Sequence, residues 1–316
     1  MEAGREHVLL SVNNLTVEFA TREGDFPAVR EISFDIDRSQ KVGIVGESGC
    51  GKSVTALAIL RLIEPPGRIT SGTTILKGRD ISTFSDREMQ SIRGKEISLI
   101  FQDPLTSLDP VMTIGKQITE IIKKHQKGIS SREAKDKAVE LLRDVEVPNA
   151  EKRLGDYPHQ YSGGMRQRVM IAIALANDPD ILIADEPTTA LDVTTQAQVL
   201  HILEKLVDER QTAVILITHN FGLVAEFCDK VLVMYAGKIV EQASKHQIFT
   251  SQNHPYTEAL LKSVPNPEML EAGDLPTIPG VPPRSVDLPP GGACGPRCPR
   301  GKGVGLWARV SPPRGQ

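Results

Sequence analysis

Apolar and polar positions along this chain fall into short runs whose period changes several times. Val8 to Phe19 is largely apolar and rich in β-formers, which predicts a strand. Ile32, Phe34 and Ile36 alternate with Ser33, Asp35 and Asp37, the period-two pattern of a half-buried strand. Lys41 to Val45 reads as a short apolar strand running into Gly46. The period then lengthens. Val54, Leu57, Ala58, Leu60, Arg61, Leu62 and Ile63 predict a helix that runs up to the breaker Pro65-Pro66-Gly67. Residues 68–101 mix turn signals with short strands at Thr73 to Leu76 and Ile97 to Phe101.

From about 113 to 177 the pattern is helical. Thr113 can cap a helix through Ile114, Ile118, Ile121 and Ile122. Ser130 with Glu133 forms a capping box ahead of Ala134, Ala138, Leu141 and Leu142. A third helix runs from about Gly164 to Asn177. Alternation follows: strand at Ile181 to Ala184, helix from Gln196 to Arg210, strand at Ala213 to Ile217, helix from Leu223 to Cys228, strand at Val231 to Tyr235. Strands alternating with helices imply a parallel sheet covered on both faces, here with a helical block inserted. After about residue 264, Pro and Gly dominate and no regular structure is assigned.

Composition narrows the class. The chain has 316 residues, 37 Lys plus Arg against 40 Asp plus Glu, a net charge of −3 and 40% hydrophobic residues. These values exclude wholesale disorder and a membrane-embedded body. No run approaches the roughly 18 apolar residues that span a bilayer. The polar start, Met1 to His7, is expected to be neither a secretory signal nor a transit peptide. The near-neutral balance gives no pull toward nucleic acid or anionic lipid. Four cysteines form no disulfide framework, which fits a reducing cytosol. Twelve of the 22 prolines lie after residue 263, and so do Cys294 and Cys298.

Gly46-Glu47-Ser48-Gly49-Cys50-Gly51-Lys52-Ser53 fits G-x-x-x-x-G-K-[ST], with an apolar strand before it and an amphipathic helix after it. Glycines let backbone N–H groups turn inward around phosphate oxygens, and the following helix adds partial positive charge. Lys52 is expected to reach the β- and γ-phosphates, and Ser53 to ligate Mg²⁺. Cys50 reads as a small loop filler rather than a reactive thiol. A second acidic element closes the strand at 181: Asp185 can hold Mg²⁺, and Glu186 can polarise an attacking water as general base. Consecutive strand residues point to opposite faces, so these two carboxylates divide the work if the strand continues through them.

Tyr161-Ser162-Gly163-Gly164-Met165-Arg166-Gln167-Arg168, about 20 residues before the acidic strand end, resembles the signature motif of ATP-binding-cassette (ABC) proteins, with Met165 where Gln is usual. Ser162, Gly163 and Gly164 open a helix whose N–H groups can bind a phosphate. In the family that phosphate belongs to a nucleotide held by the opposite subunit. Further positions match one by one. Phe101-Gln102-Asp103-Pro104 resembles the Q-loop, whose Gln102 would approach Mg²⁺ and the attacking water. Ala190-Leu191-Asp192 resembles the D-loop, which contacts the partner subunit near ATP. His219, followed by Asn220 where Asp is commoner, resembles the switch histidine that touches the γ-phosphate. Phe19 falls where the family stacks an aromatic on adenine, and equally suits a strand core.

The resemblance implies an α/β fold: a P-loop NTPase ABC cassette with a RecA-like parallel-sheet core, an antiparallel β subdomain and an inserted α-helical subdomain. It covers residues 8–250, with the helical subdomain at about 105–178. Residues 251–290, with His254-Pro255-Tyr256-Thr257, Leu260, Leu261, Val264 and Pro265, are similar to the C-terminal extension of oligopeptide and dipeptide importers, which nickel and glutathione importers share. Residues 291–316 are expected to be a disordered tail. Relatives with this extension often carry four cysteines for an iron–sulfur cluster; this chain keeps Cys294 and Cys298, and no cluster is expected.

The expected function is an ATPase subunit that uses ATP and Mg²⁺ to power import of peptides, or of a related small solute, through separate membrane permeases. The expected partners are a second ABC ATPase subunit (a paralogue or a second copy), two membrane permeases and, indirectly, an extracytoplasmic solute-binding protein, with no nucleic acid. The expected location is peripheral, on the cytoplasmic face of the inner membrane. The alternative is a non-transport ABC ATPase of DNA repair or regulation. Repair would call for a long coiled coil, and no heptad run is sustained.

Overall fold

The computed structural model describes residues 7–22, 24–189, 191–263 and positions 278, 280, 281, 283, 293, 294 and 297. In chain order the elements are β1 (Val8–Thr21), β2 (Gly24–Asp37), β3 (Lys41–Val45), α1 (Lys52–Ile59), β4 (Gly67–Leu76), β5 (Arg79–Asp80), α2 (Asp86–Ile92), β6 (Ile97–Ile100), α3 (Pro104–Ser107), α4 (Ile114–His125), α5 (Ser131–Asp144), α6 (Ala150–Arg153), α7 (Gly163–Leu175), β7 (Ile181–Asp185), α8 (Val193–Glu209), β8 (Ala213–Thr218), α9 (Phe221–Phe227), β9 (Lys230–Tyr235), β10 (Lys238–Ser244), α10 (Lys245–Thr250) and α11 (Pro255–Lys262). They divide into two compact units, one of Met1–Ile36, Lys41–Thr83 and Ile217–Gln316, the other of Asp37–Gln40 and Phe84–Leu216.

In the first unit an antiparallel sheet runs in the order β2-β1-β4-β5. β1 pairs with β4 from Leu10↔Leu76 to Phe19↔Gly67, with register shifts between Asn13 and Val17. The shift changes which parity faces inward: Leu10 and Val12 are buried before it, Leu15 and Val17 after it. That slip is why the sequence reads as generally apolar there rather than as alternating. β3 pairs in parallel with β9, from Val42↔Lys230 to Val45↔Val233. After their leading lysines, Lys41 and Lys230, both strands are apolar and buried, as a strand covered on both faces must be. β9 returns antiparallel as β10 through Ala236-Gly237, both in the left-handed region (φ 45° and 80°), the geometry of a two-residue hairpin. α9 packs close on β3 because position 43 is glycine: a Cβ there would lie 3.0 Å from Cys228 Sγ and 3.1 Å from a Val224 methyl. The helix expected up to Ile63 stops at Ile59, because Leu60 caps it and Arg61 turns left-handed (φ 52°).

In the second unit, β6 pairs in parallel with β7 from Ile97↔Ile181 to Ile100↔Ala184. α4, α5 and α7 form the helical block. The Ser130–Glu133 capping box is present, each side chain satisfying the other's backbone N–H. The same device opens α2 at Ser85–Glu88. α7 buries Val169, Met170, Ile171, Ala172, Ala174 and Leu175, nearly all round, as a helix in the middle of a core does. Just beyond it, the Asn177 amide donates to Gly94 O and Ile121 O (3.2 Å each) and accepts from Gln126 Nε2 (3.1 Å). One half-buried amide thus holds the ends of three segments.

Candidate nucleotide site

In the first unit, β3 delivers the chain into the glycine-rich loop and α1 carries it away. Gly51 is the N-cap of α1 with φ 106°, and a Cβ there would come within 2.6 Å of Ala28 O, so only glycine fits. Lys52 is 6% exposed, and its Nζ donates to Gly46 O (2.9 Å) and Glu47 O (3.1 Å), which sets its positive charge inside the loop. Ser53, the second residue of α1, is half-buried, while Ser48 and Gly49 are exposed. Cys50 is buried, and burial pushes its thiol up despite the nearby Lys52, so it packs rather than reacts.

Glu47 has partners that the sequence does not announce. Its carboxylate accepts two bonds from Arg297 (2.6 and 2.9 Å) and one from the Tyr256 hydroxyl (3.2 Å). Its backbone N–H donates to the same hydroxyl (3.2 Å). An arginine 250 positions away in a Pro- and Gly-rich stretch carries no pattern that would mark it.

Phe19, also in this unit, is half-buried on β1, and its ring covers Gly67 across the β1–β4 pair. His219 is exposed, one residue past β8. Asn220 then caps α9, accepting from Gly222 N (2.9 Å).

In the second unit, β7 ends at Asp185, which is 9% exposed. Glu186 does not continue the strand. Its φ is 45°, a left-handed conformation uncommon outside glycine, and this turn redirects its side chain. Glu186 Oε2 accepts from Gln102 Nε2 (3.1 Å) and from Thr189 Oγ1 (2.7 Å). Two residues of the sequence reading are therefore brought together, and Thr189 joins them unannounced. Ser162 is exposed and caps α7, accepting from Met165 N (3.3 Å). Gly163 and Gly164 form the first turn; a Cβ on Gly164 would strike the Thr195 methyl at 2.5 Å. Tyr161 anchors the approach: its hydroxyl donates to Arg153 O (2.8 Å), and burial pushes its phenol up to about 12. Asp192 caps α8 through Thr195 N (3.0 Å), and that bond holds its carboxyl below the usual range. Ala190 of the same motif lies outside the described residues, as do Cys298 and most of residues 291–316. Cys228 is buried, its thiol pushed up to about 12 by burial, and Cys294 is half-buried.

A glycine loop between strand and helix, a lysine charge inside it and a braced carboxylate at a strand end define a P-loop ATPase. Residues 29–189 match the family model described as ABC transporter, and residues 240–303 match that of the oligopeptide/dipeptide transporter C-terminal region. The chain is 51% identical to the dipeptide transport ATP-binding protein DppD of Lactococcus lactis subsp. cremoris, over 91% of this chain and 82% of that protein. It is 51% identical to the oligopeptide transport ATP-binding protein OppD of Bacillus subtilis, over 90% of this chain and 80% of that one. With OppD of Salmonella typhimurium the identity is 50%, over 93% and 87%. A dimeric post-hydrolysis structure of the ATP-binding cassette MJ0796 bound to ADP and Pi matches with a TM-score of 0.67 and 28% identity, covering 75% of this chain and 98% of that one. The chain belongs to the ABC transporter family, and it is an ATP-binding ATPase of that family.

Proposed function

We propose that this chain hydrolyses ATP to power import of peptides through separate membrane permease subunits. The observation that carries the reading is Glu186, turned out of the β7 line and braced by Gln102 and Thr189. A carboxylate fixed in this way is suited to take a proton from the water that attacks the γ-phosphate, with His219 contacting that phosphate. The loop amides from Gly46 to Ser53, the α1 N-terminus and Lys52 bind the phosphates, and Phe19 stacks on the adenine. Ser53, Asp185 and Gln102 offer oxygen donors of the kind Mg²⁺ prefers. With its amide nitrogen on Glu186, Gln102 presents its amide oxygen as the ligand atom. Bound Mg²⁺ supplies charge neutralisation on the phosphates.

Ser162, Gly163 and Gly164 present the α7 N-terminus to a nucleotide held by a second cassette, with Asp192 capping the neighbouring α8, whose Thr195 adjoins Gly164. That cassette is a second copy or a paralogue. Peptide as the cargo is supported by the match over residues 240–303 and by relatives that transport dipeptides and oligopeptides. Among the described residues no helix is long and apolar enough to cross a membrane, so the spans are assigned to the permeases. The cassette then sits peripherally on the cytoplasmic face, and a solute-binding protein delivers cargo from the other side. The test is ATP-driven uptake of a labelled peptide by membranes holding this chain and its permeases. Glu186→Gln is expected to lower ATP turnover by at least about 100-fold while ATP still binds. Undiminished turnover in that variant would refute the assignment.

A further inference from the structure

We propose that Arg297 and Tyr256 are positioning residues for the phosphate loop, tying ATP affinity at the loop through Glu47 to the C-terminal region of residues 240–303. The proposal rests on the reading of Gly46 to Ser53 as the ATP site. Glu47 is the second residue of that loop, and every polar group it owns is engaged. Its carboxylate takes both forks of the Arg297 guanidinium, its N–H and one carboxylate oxygen share the Tyr256 hydroxyl, and its carbonyl receives Lys52 Nζ. The residue gripped by Arg297 and Tyr256 is thus one of the two that hold the loop lysine.

This is not a surface ion pair. The Arg297 side chain is 5% exposed and meets the carboxylate with two parallel bonds, the geometry that makes an arginine–carboxylate pair directional. Arg297 is itself held. Its Nη2 also donates to Ile278 O (3.3 Å), its N–H donates to Cys294 O (3.1 Å), and its guanidinium lies 6.0 Å from the Tyr235 ring centre. The Tyr235 ring packs 4.4 Å from that of Tyr256. Tyr235 ends β9, the strand paired with β3, and β3 delivers the loop. Both tyrosines and the arginine therefore form one packed support behind Glu47.

Charge gives the support a role beyond shape. A carboxylate in a loop that receives polyphosphate repels its ligand, and a part-buried site screens that repulsion less than bulk water does. Two guanidinium bonds neutralise it. Removing Arg297 leaves the carboxylate uncompensated, so ATP should bind more weakly. Removing the Glu47 charge as well should restore most of the binding. A purely structural role for Arg297 would give no such rescue.

The experiment measures equilibrium binding of MgATP to the full-length chain and its variants by calorimetry, with thermal melting as the fold control. Arg297→Ala is expected to weaken ATP binding about tenfold, the size of one lost charge-assisted contact. Arg297→Lys keeps the positive charge but loses the two-pronged fork, so it should weaken ATP binding less than Arg297→Ala does, and it serves as the readout if the alanine variant fails to fold. The Glu47→Gln, Arg297→Ala double variant should recover to within about threefold of the parent, a strongly non-additive cycle. In the assembled transporter, Arg297→Ala should raise KM for ATP with kcat held within about twofold. Either of two results overturns the proposal: a folded Arg297→Ala chain with parent-like ATP affinity, or single-variant losses that simply multiply in the double. Lys52→Ala separates the two readings. If that variant binds ATP normally, the loop itself is misassigned, whatever the Arg297 variants do.

Discussion

Gly51 shows how tightly single residues are specified. With φ at 106° and Ala28 O against the missing Cβ, Gly51→Ala must strain the backbone and displace β2. It is expected to cost about 2–4 kcal/mol in urea denaturation and to abolish ATP binding. Thr189→Val tests the brace on the proposed base. Losing the 2.7 Å bond to Glu186 should lower turnover several-fold, read as kcat in the assembled transporter, with ATP affinity unchanged. At this scale the sequence was most legible where chemistry is local. The eight loop residues and the Ser162-Gly163-Gly164 helix start sit on the elements their spacing predicts. The sequence proposes a role for Glu186 but not its geometry, because a left-handed glutamate is not written in a strand pattern. Arg297 was invisible: it falls in the stretch expected to be a disordered tail, yet it is buried and bonded to Glu47, a pairing that exists only once residues 250 positions apart meet.

Elements were legible where caps and periods agree. The Ser130 box starts α5 where predicted, and Ser130→Ala is expected to cost about 1 kcal/mol of stability by chemical denaturation. Asp192 provides a pH test. Its folded carboxyl is depressed by the cap bond to Thr195, so its contribution is present above the usual carboxylate range and is lost as pH falls through the folded value. Asp192→Asn keeps a capping oxygen without a titrating group. Its stability should therefore fall less than the parent's below about pH 4, measured by melting across pH. The missed elements have physical reasons. β10 follows Ala236-Gly237, and alanine is a weak hairpin signal although here it accepts φ 45°. β4 starts six residues before the apolar stretch that predicted it, on polar residues paired with β1. α8 starts at Val193, three residues before its predicted start, because Asp192 caps it.

For the whole molecule, the helical block expected at about 105–178 lies inside a larger unit that also holds β6, β7 and α8. No periodicity marks that division, which depends on which segments pack together after folding. The proposed two-cassette assembly predicts that Glu186→Gln with MgATP doubles in mass by light scattering, alone or with a second cassette. No ATP-dependent association with either would count against it. The close seat of α9 on β3 has a consequence for reading remote mutations. His219 and Asn220 lead directly into α9, so the depth at which that helix rests governs where the histidine stands. A single methyl at position 43 would press on Cys228 and Val224 and lift the helix like a shim under one leg of an instrument. Such a change, inside the core and away from His219 in sequence, would pass for a catalytic defect: nucleotide held normally, and turnover lost by misalignment.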